Sequence, residues 1–302
     1  MHRLVFLLSF PLLWIIAHTP FNGIYRISNG LYFLLYRVFS YRKTVVRNNL
    51  ELVFPEKSKS ERLQLEKDFF RHLCDLFLET IKFMGISRSE IEAHFEFINI
   101  SELQRLEKDG KSVVLLFPHY ANWEWAITLD IYSKLKGYGI YQPLANRHFD
   151  KLVRKIRSNF GTTLISTKET QQIMSENAQK NQPALYGIIG DQSPRPTKAY
   201  HWGEFLGIRV PMHTGAEFLA KTHNLAVVFL KVRKIARGKY TGELITLAEN
   251  PEAFQNYQIT DAFFRETERA ILEQPQYYLW THRRWKHRDK LPKDYEKTAS
   301  VS

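Results

Sequence analysis

Residues 112–125 read Ser112-Val-Val-Leu-Leu-Phe117-Pro118-His119-Tyr120-Ala-Asn-Trp123-Glu124-Trp125, and this stretch decides the fold. An unbroken apolar run fills 113–117, between Gly110 and Pro118. Such a run, too short for a helix and closed by chain-turning residues, suits a strand buried on both faces. Strands of that kind belong to parallel sheets covered by helices. Beyond it, residues 123–134 carry apolar side chains at helical spacing, so His119 stands where a strand ends and a helix begins. Open α/β sheets bind their ligands at that edge.

His119 and Glu124 are five residues apart, and on one continuous helix they would point about 140° away from each other. They meet if His119 lies in the loop and Glu124 in the first helical turn, where the helix dipole also favours a carboxylate. A general base with an orienting acid is the reading. The bland alternative is a loop histidine near a solvated glutamate. Phe117, Tyr120, Trp123 and Trp125 favour the first, because they supply an apolar pocket that a solvated loop does not need.

Outward from this strand, the pattern alternates. Strand-like stretches are expected at 94–100, 139–143, 163–165, 183–189, 226–232 and 243–248, and helical ones at 60–84, 101–108, 149–160, 168–180, 215–222 and 260–273. This order predicts an α/β domain with a mixed, largely parallel sheet flanked by helices. The amino terminus differs. Leu4 to Ala17 is a strongly apolar run of 14 residues, short for a membrane span and containing Pro11. Apolar character resumes at 24–39 and is followed by Arg42, Lys43 and Arg47, as in an interfacial or single-pass anchor with its basic side cytoplasmic. A buried amino-terminal helix is the alternative. The expected division is a membrane-anchoring segment at 1–50, a catalytic domain at 51–290 and a loose tail at 291–302.

The 302 residues hold 43 Lys and Arg against 31 Asp and Glu, a formal charge of +12. That surplus suits an anionic partner: nucleic acid, acidic phospholipid, a phosphorylated substrate or an acidic carrier protein. A single cysteine, Cys74, excludes an intrachain disulfide and a cysteine-based zinc site. It lies in an apolar helical pattern and reads as a buried, inert thiol. Nucleophile-elbow, Walker, dinucleotide-binding and His-Glu-x-x-His motifs are missing. No metal and no cofactor is expected, and His119 is left to activate a hydroxyl of the substrate.

Three further stretches carry chemistry. Gln142-Pro-Leu-Ala-Asn146-Arg147 follows a predicted strand, with Arg154 and Arg157 on the next helix, where an arginine can hold a phosphate or a developing oxyanion. Gly190-Asp191-Gln192-Ser-Pro-Arg195 follows the strand at 184–189 and so reaches the same edge of the sheet. Tyr277-Tyr-Leu-Trp-Thr-His-Arg-Arg-Trp-Lys-His-Arg288 interleaves aromatic and cationic residues, as a nucleic-acid surface or a membrane-interface belt does.

Taken in order, these blocks resemble the late acyltransferases of lipid A biosynthesis, the lauroyl/myristoyl transferases, within the glycerolipid acyltransferase-like group that shares a His-x4-Asp/Glu motif. His119 to Glu124, Gln142 to Arg147 with Arg157-Ser-Asn159, Gly190 to Gln192, Phe205-Leu-Gly207 with Pro211 and Thr214-Gly-Ala216, and Gln276 to Lys286 match the family's blocks. Met212-His213 stands where smaller or hydroxylic residues are expected.

The resemblance implies an enzyme at the cytoplasmic face of the bacterial inner membrane. It would take an acyl thioester donor, on acyl carrier protein or CoA, and a lipid hydroxyl as acceptor; a lipid A precursor comes first, an aminolipid or lysophospholipid second. His119 would be the base and Glu124 its support, with Asn146, Arg147, Arg157, Asp191 and Gln192 on substrate. An anionic membrane surface is the further partner, and nucleic acid is not one. A basic nucleic-acid-binding protein is the reading from another class, and it leaves the apolar amino terminus unexplained. A metal-dependent hydrolase lacks a second pair of ligands.

Overall fold

The computed structural model describes residues 2–292 and Tyr295. Its amino-terminal part is helical: α1 (His2–His18), α2 (Phe21–Tyr32), α3 (Lys43–Val53), α4 (Lys59–Lys82) and α5 (Arg88–His94), with a π-helical turn at Phe33–Val38. Alternation then sets in with β1 (Phe95–Phe97), α6 (Ser101–Lys108), β2 (Val113–Phe117), a 3₁₀ helix (Trp123–Ile131), β3 (Lys136–Tyr141), α7 (Arg147–Arg157), β4 (Thr163–Ser166), α8 (Thr170–Gln179) and β5 (Ala184–Ile189). The hairpin β6 (His201–Phe205) and β7 (Ile208–Met212) follows, then α9 (Gly215–His223), β8 (Ala226–Ala236), β9 (Lys239–Ala248) and α10 (Gln258–Glu273).

Seven strands form one sheet in the order β1-β9-β8-β2-β5-β3-β4. Neighbours are parallel except β8 and β9, which pair as an antiparallel hairpin. β2 is central, between β5 and β8, and every one of its residues is buried, as an all-apolar run in a two-sided layer must be. The expected α/β class with a mixed, largely parallel sheet therefore stands. Residues 123–131 wind as a 3₁₀ helix instead of the expected α-helix, in a stretch rich in Trp, Ile, Thr and Asp, middling or poor α formers. The strand expected at 94–100 shrinks to β1, and the β6–β7 hairpin went unanticipated.

α4 carries the structural surprise among the helices. Ser58 caps it, its hydroxyl accepting from the Glu61 N–H while the Glu61 carboxylate accepts from the Ser58 N–H. Besides Phe69, Phe70 and Leu76, it buries Glu66, His72, Asp75 and Glu79. Three hydroxyls from the preceding segments meet that polar stripe: Tyr25 donates to Glu79 at 2.9 Å, Ser28 to Asp75 at 2.6 Å and Tyr36 to Glu66 at 2.9 Å. The amino-terminal helices are thus bonded to the body through buried contacts.

Among the described residues no helix is long and apolar enough to cross a membrane. α1 spans 17 residues, contains Pro11 and leaves Leu4, Leu8, Leu12 and Trp14 exposed. The tail expected at 291–302 lies outside the described residues, except Leu291, Pro292 and Tyr295.

Candidate active site

Parallel register builds the site. Phe117 pairs with Ile189 in the β2–β5 ladder, and two residues past each strand end stand His119 and Asp191. Their side chains emerge together, and His119 Nδ1 donates to Asp191 Oδ1 across 2.7 Å. A proton on Nδ1 makes Nε2 the basic nitrogen of the neutral ring, and the Gln192 amide nitrogen lies 3.3 Å from it. The Trp123 ring packs edge-on against the imidazole at 5.1 Å.

Electrostatics follow from this pairing. Burial pushes the His119 pKa down, but Asp191, by charge and hydrogen bond, and then Glu124 outweigh it, leaving the imidazole above its ordinary value. Burial would raise the Asp191 carboxyl; the His119 imidazole and the buried Arg284 guanidinium hold it below the usual range instead.

His119 and Glu124, expected to meet as a base and its orienting acid, share no hydrogen bond. Glu124 opens the 3₁₀ helix and turns toward α7, where Arg157 grips it as a fork: Nη2 donates to Oε1 at 2.8 Å and to Oε2 at 2.7 Å, and Nε to Oε2 at 3.2 Å. A guanidinium matched to a carboxylate in this planar way holds it more firmly than a single contact does. Glu124 bears on His119 by charge alone, raising its pKa, while the hydrogen bond of the ring is made to Asp191.

The loop between β2 and the 3₁₀ helix is held from both sides. Ala121 sits at φ +50°, a left-handed backbone that is uncommon for a residue with a Cβ and persists only where its surroundings fix it. The His119 carbonyl accepts from Leu279 N–H at 3.1 Å, and Ala121 N–H donates to the Tyr277 carbonyl at 3.0 Å. From α4, His72 Nε2 donates to the Ala121 carbonyl at 3.3 Å, and the Glu79 carboxylate accepts the Asn122 amide at 2.8 Å. The His72 ring is held well below its usual pKa by burial and by the Lys234 ammonium, so it serves as a neutral hydrogen-bonding group.

Tyr277–Arg288, read from composition as a nucleic-acid surface or a membrane-interface belt, is a strap whose aromatic residues are largely buried while Arg283, Lys286 and Arg288 stay exposed. Tyr278, Trp280, Arg284 and Trp285 are 0–2 % exposed. The Asn49 amide on α3 donates to the carbonyls of Trp280 and His282 at 2.8 and 2.9 Å. An alternation of aromatic and basic residues does not say which of them are buried, and only the packing does.

His119, Trp123, Glu124, Arg157 and Gln192 line one cavity of about 650 Å³, walled by apolar residues including Ile188, Leu219 and Phe263. A narrower apolar slot adjoins it beneath Trp123 and runs along the sheet between Phe117, Ile127, Tyr138 and Leu185. Asp130 also lines the slot and packs against Gly137, where its carboxyl would come within 2.0 Å of any Cβ. Burial raises the Asp130 carboxyl to about 6.

Of the other expected site residues, Asn146 caps α7, accepting from His148 N–H at 3.0 Å, and Arg147 is exposed; neither lines this cavity. Arg154 reaches the Tyr141 hydroxyl at 2.9 Å. The Cys74 thiol is buried and pushed up to about 12, as an inert thiol should be. Sequence reasoning missed His72, Glu79 and Asn122, which hold the loop; polar residues recurring on the apolar stripe of α4 were the available signal.

A buried imidazole–carboxylate pair at the carboxyl edge of a sheet, beside a largely apolar cavity, is equipment for general-base chemistry on an apolar substrate. Comparison with known proteins narrows that class. The model of the family described as bacterial lipid A biosynthesis acyltransferase matches residues 2–287, and the chain belongs to this family. It is 24 % identical over 287 residues to the lipid A biosynthesis lauroyltransferase of Escherichia coli, covering 93 % of this chain and 91 % of that protein. It is 22 % identical over 284 residues to the lipid A biosynthesis palmitoleoyltransferase of the same organism, covering 91 % and 89 %. To the lipid A biosynthesis acyltransferase of Haemophilus influenzae it is 22 % identical over 303 residues, covering 97 % and 91 %.

Proposed function

We propose that this acyltransferase moves a fatty acyl chain from a thioester, on acyl carrier protein or CoA, to a hydroxyl of a lipid A precursor, with His119 as the base. The His119–Asp191 pair on an apolar cavity carries this reading. The acceptor hydroxyl gives its proton to His119 Nε2 as its oxygen attacks the thioester carbonyl. Asp191 stabilises the imidazolium that forms. The Gln192 amide and Arg157 are the donors available to the oxyanion of the tetrahedral intermediate. Collapse breaks the carbon–sulfur bond, the imidazolium returns the proton to the departing thiolate, and an ester is left on the lipid. The acyl chain fits the apolar cavity and the slot beneath Trp123.

In the same reading the enzyme works at the cytoplasmic face of the inner membrane. The exposed apolar side chains of α1 enter the interface, and the charge of +12 draws the molecule to anionic lipid. Mass spectrometry of lipid A from a strain lacking this protein, complemented with wild type or His119→Ala, is the test. Loss of one acyl chain, restored by wild type alone, is expected. Full restoration by His119→Ala ends the mechanism, and an unchanged lipid A with another lipid deacylated moves the acceptor elsewhere.

A further inference from the structure

The loop that delivers Asp191 and Gln192 to His119 does not stop there. Ser193 follows, its hydroxyl donating to the Arg284 carbonyl, and then Pro194, Arg195 and Pro196. Two prolines around one arginine fix the backbone on either side of it. Arg195 and Lys198, in the short 3₁₀ turn that comes next, are exposed, and neither side chain has a hydrogen-bond or ion-pair partner among the described residues.

Both line a second cleft of about 1230 Å³, together with Lys221, Tyr200 and Phe218. This cleft and the His119 cavity share His213, Gly215 and Glu217, so they adjoin. Glu217, the carboxylate that lines it among the described residues, is fully engaged. It accepts from Tyr257 N–H at 2.7 Å, from Thr260 N–H at 2.8 Å and the Thr260 hydroxyl at 2.7 Å, and pairs with Lys221 at 2.9 Å. Two cations without partners, beside a neutralised acid, leave the cleft positive. Three residues separate Asp191 from Arg195, and the four steps between them reach at most about 14 Å.

We propose that this cleft is a phosphate subsite, in which Arg195 and Lys198 hold a phosphate group of a substrate whose reacting group lies at His119. The inference rests on the acyl-transfer reading and adds to it where an anionic head is held. A guanidinium forks onto phosphate oxygens and an ammonium adds a point charge. The exposed rings of Tyr200 and Phe218 offer apolar faces beside them, which suits the head of an amphiphile. Two sources can supply the group: the head of the acceptor lipid, or the phosphopantetheine arm of the donor.

Transfer kinetics separate the sources. Wild type and the double variant Arg195→Gln/Lys198→Gln are compared on the acceptor lipid before and after phosphatase treatment, and on phosphopantetheine and pantetheine thioesters. Wild type is expected to prefer the phosphorylated acceptor by about tenfold or more in kcat/KM, and the double variant to lose that preference through the KM for acceptor. Restoration of most of it by Arg195→Lys with Lys198 intact shows that charge is the cause. Loss of a preference for the phosphopantetheine thioester instead assigns the subsite to the donor.

Calorimetric titration with glucosamine 1-phosphate keeps this inference separate from the reading beneath it. Wild type that binds the sugar phosphate but acylates neither acceptor, beside a double variant that does not bind it, refutes the transfer reading and keeps the subsite. Preferences identical in wild type and double variant, for acceptor and donor alike, overturn the subsite.

Discussion

His119 does not work alone, and the chemistry of its neighbours has measurable signs. Asp191 raises the imidazole's pKa, so replacing it with asparagine should move the acidic limb of the kcat/KM profile to lower pH while the plateau falls by about 100-fold or more. An unshifted limb in Asp191→Asn would show that the carboxylate does not tune the base. The same pair bears on stability. Because the folded imidazole binds its proton more tightly than the unfolded one, its contribution is full below the unfolded value of 6.5 and is lost as pH rises through the raised folded value.

Arg157 offers the second residue-scale test. Lysine cannot reproduce a planar fork, so Arg157→Lys should leave Glu124 loosely held and lower kcat by about tenfold or more, with thermal unfolding little changed. Wild-type kcat in Arg157→Lys would remove the fork from the mechanism.

Among the elements, α4 is the one whose interior is chemically unusual. Glu79 accepts from the hydroxyls of Tyr25 and Tyr240 and from the Asn122 amide, tying α2, β9 and the active-site loop to one buried carboxyl. Glu79→Ala strands those donors and should destabilise the fold by about 3 kcal/mol or more, read as a lower urea midpoint. Glu79→Gln, which keeps an acceptor oxygen, should cost less and still slow transfer by loosening Asn122. A Glu79→Ala midpoint within error of wild type would mean that other groups satisfy the donors.

The hydrophobic spacing that predicts α4 is insensitive to this stripe, because a helix face can bury polar groups wherever partners arrive from elsewhere in the chain. The strap at Tyr277–Arg288 escapes the same kind of reasoning. Its aromatic and basic composition is legible, but the burial of its aromatic residues depends on α3 and on the loop it clamps.

At the scale of the molecule, the exposed leucines of α1 and the positive charge meet the membrane question together. Leu4, Leu8 and Leu12 recur every four residues and lie on one face. Replacing all three with glutamate should abolish co-sedimentation with vesicles containing anionic lipid, whereas high salt alone should release wild type only in part. Complete release of wild type by salt would make the association purely electrostatic.

The alternation of strands and helices, the central buried strand at 113–117, the inert cysteine and the histidine at a strand end all follow from the sequence by itself. Each is a property of contiguous residues: a period, a cap, a turn. The partner of His119 is a different kind of fact. Asp191 is 72 residues away, and it reaches Nδ1 because Phe117 and Ile189 stand opposite each other in a ladder. Glu124 is close in sequence yet belongs to Arg157, since the turn at Ala121 aims it at α7. Local pattern names the residues that carry chemistry; strand register, which the whole sheet sets, decides which of them meet.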